Sequence, residues 1–245
     1  MTGPTGGSIS LLPVTGLGEI RPGDDLCEVV AAALRPAAPA GPELCDGDVL
    51  VVTQKIVSKA EGRVVPIDHG DAAAKVRLVE SEAVRVVRRR GDLLITETAH
   101  GFVCANSGVD LSNVEEGTAA LLPVDPDRSA RRIRSGLHRR LGVRVGVVVS
   151  DTFGRTWRRG VTDVAIGCAG IAAVLDLRGT VDAGGRELVA TEVCVADEIA
   201  SAAELVMGKD RGIPVAIVRG VPPAWLRDSS VADEIVRPPG EDLFR

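Results

Sequence analysis

The chain contains no tyrosine, and its aromatic residues amount to Phe102, Phe153, Phe244, Trp157 and Trp225 in 245 positions. Proteins that hold single-stranded nucleic acid stack bases on aromatic side chains above a basic groove. With so few rings and a formal charge of −5, that class is excluded. Lysine is scarce too. Of the 29 basic residues only Lys55, Lys59, Lys75 and Lys209 are lysines, a bias that a GC-rich genome produces without functional demand. Close cysteine pairs are missing: Cys27, Cys45, Cys104, Cys168 and Cys194 lie at least 18 positions apart. That spacing excludes a CxxC zinc or redox motif and leaves them as small buried hydrophobes in a reduced compartment. His69, His100 and His138 are equally scattered, so neither a histidine metal site nor a histidine triad is indicated. Ala165 to Leu175, the longest strongly apolar run, is too short to span a bilayer, and the initial MTGPTGGSIS lacks a signal-peptide pattern. A cytoplasmic protein with neither membrane nor nucleic-acid partner is expected.

What is present is a globular composition, 45% hydrophobic and 26% charged, at a length that allows one large domain or two small interleaved ones. Its core must be built from Val, Ala, Leu and Ile. The clearest strand runs from Asp48 to Val57, opening with Val49, Leu50, Val51 and Val52. Ala72 to Arg89 carries Val76, Val79, Ala83, Val86 and Val87 at helical spacing, which makes Arg88, Arg89 and Arg90 a solvated helix C-terminus. Asp92 to Glu97 and Ala119 to Val124 read as strands, and Ser129 to Leu141 as a helix capped by Ser129. Val143 to Val149 is a valine-rich strand that runs straight into Ser150, Asp151 and Thr152. Ala196 to Val206 then reads as a helix, Gly208 to Gly212 as a loop and Ile213 to Val218 as a strand.

Polar stations interrupt this framework at Leu17–Ile20, Thr53–Lys59, Asn106–Asn113 and Ser150–Arg155. A carboxylate just past a buried strand, as at Asp151, is where α/β proteins place ligand chemistry. Asp110 and Asp151 together suit a hard divalent cation, which uses one or two carboxylates plus substrate phosphates, and Thr152 adds a hydroxyl. Lys59 suits a phosphate, and Gln54 or Asn113 a nucleotide hydrogen bond. Structural roles remain open for each of them. Aspartates cap helices, Asn106–Asn113 has the composition of an ordinary Asx turn, and a lysine after a strand guards a sheet edge. Arg155, Arg158 and Arg159 suit an anionic substrate, with Trp157 among them as packing. Gly208-Lys209 lacks the upstream glycine of a Walker loop, and Gly167-Cys168-Ala169-Gly170 is only a loose echo of a dinucleotide fingerprint.

Six segments in order carry a family resemblance: Leu12-Pro13-Val14-Thr15-Gly16-Leu17, Val52-Thr53-Gln54-Lys55-Ile56-Val57-Ser58-Lys59, Ala105-Asn106-Ser107-Gly108-Val109-Asp110, Ser112-Asn113-Val114, Ser150-Asp151-Thr152-Phe153-Gly154-Arg155 and Val195-Ala196-Asp197-Glu198-Ile199-Ala200. They resemble the coenzyme F420:L-glutamate ligases. The resemblance implies a GTP-dependent ligase that requires Mg2+ or Mn2+, with K+ as an accompanying ion. It would add L-glutamate to the carboxylate of a deazaflavin precursor and extend a γ-linked tail. Asp110, Asp151 and Thr152 match the family's metal ligands. Leu17, Gly18, Glu19, Ile20, Gln54, Lys59 and Asn113 match its GTP contacts, with Gln54 where relatives often carry serine. Asp110, Asp151 and Lys59 are the catalytic candidates. Met207 to Gly212 corresponds to a further nucleotide-proximal loop, in which Lys209 departs from an expected acidic or amide residue; Lys55 and Lys75 keep a surface reading. The implied fold is mixed α+β in two interleaved subdomains, assembled as a homodimer. Relatives often continue into a nitroreductase-like domain, whereas this chain stops at Arg245 as a single ligase domain or an excised half. Two other classes use the same residues: a metal-dependent phosphohydrolase and a GTP-sensing module without turnover.

Overall fold

The computed structural model describes residues 7–35, 42–68 and 70–243; His69, Phe244 and Arg245 lie outside them. In chain order its elements begin with β1 (Ser10–Val14), α1 (Leu26–Ala33), β2 (Val49–Thr53), α2 (Gln54–Ala60), β3 (Val64–Pro66) and α3 (Ala72–Ser81). Strands β4 (Ala83–Arg90), β5 (Leu93–Thr98), β6 (Val103–Ala105) and β7 (Thr118–Ala120) follow, then α4 (Pro126–Leu141). The chain continues through β8 (Gly146–Arg155), β9 (Arg158–Ala169), β10 (Leu175–Asp176), β11 (Glu192–Val193), α5 (Val195–Met207), β12 (Val215–Arg219) and α6 (Val231–Glu234). The architecture is mixed α+β, as the resemblance implies.

The central sheet has the order β1-β12-β2-β8-β9, with β2 and β8 parallel and the other neighbours antiparallel. Both of its faces are covered, which explains unbroken apolar runs where a half-exposed strand would alternate. Leu50, Val52, Val147, Val149, Val215 and Ile217 belong to the core shared with α1 and α4. Val49, Val51, Val148, Ala216 and Val218 point the other way, into a core with α5. Successive strand residues face opposite sides, so one sequence run serves two cores. Between α2 and α4 the chain leaves this sheet to build β3-β7 and β4-β5-β6 around a smaller core of Val79, Leu94, Val109, Ala119 and Leu121.

Several sequence expectations are corrected. The strand from Asp48 ends at Thr53, and Gln54–Ala60 is helical. A helical turn brings Gln54 and Ser58 to one face, where the Gln54 amide donates to Ser58 Oγ (2.5 Å) and both side chains donate to the Leu121 carbonyl (2.9 and 2.6 Å). The helix expected over 72–89 stops at Ser81; residues 83–90 form a strand. Pairing with β5, including the Arg85–Glu97 ion pair at 3.0 Å, overrides local helical spacing there. Arg88, Arg89 and Arg90 are therefore strand residues. The strand expected over 119–124 shrinks to Thr118–Ala120. Helix α4 begins earlier than expected: Asp125 accepts the Arg128 N–H as its cap and Pro126 occupies the first turn, while Ser129 lies inside. Of the cysteines only Cys104 and Cys168 are buried, Cys45 being exposed.

Candidate active site

The parallel pairing of β2 with β8 sets Thr53 beside Ser150, where their ladder ends. There β2 stops, whereas β8, expected over 143–149, starts at Gly146 and runs on against β9 to Arg155, so Asp151 lies within the strand and not past it. From the end of β2 springs α2, whose Lys55 and Lys59 share a face one turn apart. β8 continues as Asp151 and Thr152. Lys59 Nζ lies 2.5 Å from Glu19 Oε1, tying α2 to the Leu17–Ile20 loop. In that loop Ile20 is buried, Leu17 packs on the core and the space above Gly18 is open.

Asp110 is delivered by a tight turn. Asn106, Ser107 and Gly108 adopt positive φ (53°, 53° and 70°), and Asn113 does so again at 52°. The turn is held from below: the buried Ser107 hydroxyl donates to the Val79 carbonyl (2.9 Å) and the Leu94 N–H donates to Asn106 Oδ1 (3.1 Å). Asp110 then pairs with Ala120 through both backbone hydrogen bonds, at 2.9 and 2.8 Å. Its carboxylate accepts the Ser112 N–H (2.7 Å) and meets Lys55 Nζ (2.7 Å), which also donates to the Ser112 carbonyl (2.5 Å) and hydroxyl (2.9 Å). Burial alone would raise the Asp110 carboxyl, but the Lys55 ammonium and Ser112 N–H outweigh it and hold it below the usual range. Lys55 is thus a site residue whose side chain is only 17% exposed, which corrects its surface reading.

Asp151 is in the opposite condition. Burial pushes its carboxyl up to about 7, and the charges of Asp110 and Asp163 push the same way. Two carboxylates acting on each other beside an open strand end fit a divalent cation, which would remove that repulsion. Among the described residues no three His, Cys, Asp or Glu side chains gather tightly enough to enclose a metal. Substrate oxygens or water would have to complete the coordination, the usual habit of magnesium.

Thr152 faces a separate group. In the β8–β9 hairpin it sits opposite Asp163 and donates its hydroxyl to Asp163 Oδ1 (2.7 Å), while Ser150 donates to Oδ2 (3.2 Å). Lys209, from the loop after α5, brings Nζ to Asp163 Oδ1 (2.7 Å), to Glu204 Oε1 (3.3 Å) and to the Thr152 hydroxyl. Asp163 and Glu204 escaped the sequence reading. A lone aspartate at 163 within an apolar strand was the available signal for the first; nothing local marks the second.

The remaining candidates divide. Asn113 is exposed at the mouth of the turn. Gln54 is 2% exposed, and its amide donates to Ser58 Oγ and to the Leu121 carbonyl. Arg155, Arg158 and Arg159 lie exposed at the hairpin tip with Trp157, which is 82% exposed at φ 60° where packing was expected to bury it.

The sequence has relatives among known proteins. Residues 16–220 match the family model described as F420-0:Gamma-glutamyl ligase. The chain belongs to that family. The coenzyme F420:L-glutamate ligase of Methanothermobacter thermautotrophicus is 40% identical over 252 residues, covering 97% of this chain and 99% of the relative. The enzymes of the same name from Methanopyrus kandleri and Archaeoglobus fulgidus are 42% and 39% identical over 97% of this chain, covering 98% and 96% of their own lengths. No helix among its described residues is long and apolar enough to cross a membrane.

Proposed function

We propose that this chain is a GTP-dependent ligase that joins L-glutamate to the terminal carboxylate of a coenzyme F420 precursor and then extends a γ-linked tail. The observation that carries this reading is the convergence of Asp110 and Asp151, from elements 41 positions apart, on the end of the β2–β8 pair. A carboxylate is a poor acyl donor. Its oxygen attacks the γ-phosphorus of GTP, releasing GDP and leaving an acyl phosphate; the glutamate amine then attacks the acyl carbon, expels phosphate and forms the amide. Mg2+ or Mn2+ held by Asp110 and Asp151 supplies charge neutralisation on the transferring phosphoryl group. Lys59, oriented by Glu19, supplies a compact positive charge for the nucleotide phosphates, and the Leu17–Ile20 loop and Asn113 border the nucleotide. K+ is a further ion of this reading. Lys55 positions Asp110 by holding one carboxylate oxygen while the Ser112 N–H holds the other.

The same reading includes a cytoplasmic homodimer, supported by five free cysteines and by an apolar surface on β4-β5-β6 where Val84, Val86, Val87, Leu93 and Val103 are exposed. Mass spectrometry of the deazaflavin precursor incubated with the chain, GTP, Mn2+ and L-glutamate tests the activity. Successive glutamate increments with matched GDP release are expected. Phosphate release without a glutamylated product, or GTP bound but never cleaved, would replace the ligase by a phosphohydrolase or a sensor.

A further inference from the structure

The Lys209 side chain is half exposed, yet its ammonium is held by oxygens as a bound cation is. Its Nζ meets three oxygens from three elements: the Thr152 hydroxyl on β8, Asp163 Oδ1 on β9 and Glu204 Oε1 on α5. The nest is built around that charge. Asp163 is 1% exposed, and both its oxygens are already engaged by hydroxyls that donate to it, Thr152 at 2.7 Å and Ser150 at 3.2 Å. Because the Thr152 hydroxyl gives its proton to Asp163, its lone pairs are left for the ammonium. A buried carboxylate that lacks a counter-charge is strongly disfavoured, so something positive must stand there.

Charge accounting points the same way. With Lys59 balanced by Glu19, Asp110, Asp151, Asp163 and Glu204 bring four negative charges to the site, and Lys55 and Lys209 bring two positive ones. Two negative charges remain, the charge of one divalent ion. With a neutral side chain at 209 three would remain, and the oxygens of Thr152, Asp163 and Glu204 would lie open to a hard cation, which selects such ligands.

We propose that the Lys209 ammonium is a fixed, built-in cation of the site, filling the Thr152–Asp163–Glu204 nest so that the chain takes a single divalent ion, at Asp110 and Asp151. The role of that ion in catalysis rests on the ligase reading; the number bound does not.

The test counts Mn2+ alone, added to the metal-free full chain, from the electron paramagnetic resonance signal of the free ion. One ion per wild-type chain is expected. Lys209→Gln should raise the count to two, and adding Asp163→Asn to that variant should return it to one. Two ions in the wild type, one in Lys209→Gln, or two in the double variant overturns the proposal. Should Lys209→Gln fail to fold without metal, refolding in millimolar Mn2+ should recover it; failure in both conditions is equally fatal. Turnover is measured separately: a chain that binds one ion but never glutamylates loses the ligase reading alone, and one that glutamylates with two ions bound loses the role of Lys209.

Discussion

Asp151→Asn should make the metal-free protein more stable while ending its activity, and the gain should grow with pH. The folded-state carboxyl titrates at about 7, against an ordinary value of 3.8, chiefly through burial with Asp110 and Asp163 adding to it. A raised acid contributes its stability below the unfolded value and loses it as pH rises through the folded one, because ionisation then occurs inside the fold. Each unit corresponds to about 1.4 kcal/mol, so the fully ionised carboxylate costs about 4 kcal/mol at pH 8. At pH 5 the folded carboxyl keeps its proton while the unfolded one does not, and the cost is only about 2 kcal/mol. Asparagine has nearly the same shape, can still accept the Thr152 N–H and does not titrate.

The advantage of the variant should therefore increase by about 2–3 kcal/mol between pH 5 and pH 8. At this chain length that is roughly 4–12 °C in melting temperature. Thermal melts of both proteins by circular dichroism, in chelator at the two pH values, measure it as a difference of differences. General effects of pH and of the substitution cancel. An advantage that stays constant or shrinks from pH 5 to pH 8 refutes the electrostatic account of Asp151. In Mg2+ or Mn2+ the ordering should reverse, since binding to the folded state alone stabilises the wild type.

Lys55→Met leaves the Asp110 carboxylate without its ammonium; a loss of at least about tenfold in glutamylation rate is expected, with melting lowered by about 1–3 kcal/mol, and unchanged steady-state kinetics would return Lys55 to a surface role. Gly167→Ala places a Cβ 2.4 Å from the Pro126 carbonyl carbon, where β9 passes under the start of α4; backbone cannot yield as a side chain does, so about 3 kcal/mol or more should be lost in urea unfolding. Arg219→Ala strips both guanidinium bonds (2.8 and 2.7 Å) from Asp48, which is 2% exposed; about 3–5 kcal/mol should be lost by the same measurement, and Arg219→Ala with Asp48→Asn should recover part of it.

What was legible in the sequence follows from where the physics is local. Strands β2, β8 and β12 announce themselves because both faces of the central sheet are buried, so their apolar runs need no partner to be recognised. The Asn106–Asn113 turn is likewise readable: asparagine and glycine tolerate left-handed backbone, and three of its first four positions use it or border it. The boundary between α3 and β4 is not readable, because Val76, Val79, Ala83, Val86 and Val87 keep a helical period straight through it while the β5 partner strand is decided elsewhere. Site partnerships are harder still. Lys55 meets Asp110 across 55 positions and Lys209 meets Asp163 across 46, distances that only the sheet order closes.

Yet composition held a trace of those partnerships. A chain with 25 arginines and four lysines puts three of the four lysines, Lys55, Lys59 and Lys209, against site carboxylates. Arginine is a flat fork suited to bidentate surface pairs such as those of Arg178 and Arg227, whereas an ammonium is a compact point charge with three donors. The nest at Lys209 offers three converging oxygens and the one at Lys55 a carboxylate, a carbonyl and a hydroxyl. A planar guanidinium cannot direct its donors to such a cluster without displacing part of it. Where codon usage favours arginine, lysine therefore persists at positions whose geometry refuses the larger cation, and its scarcity marks the site that the scattered histidines and cysteines do not.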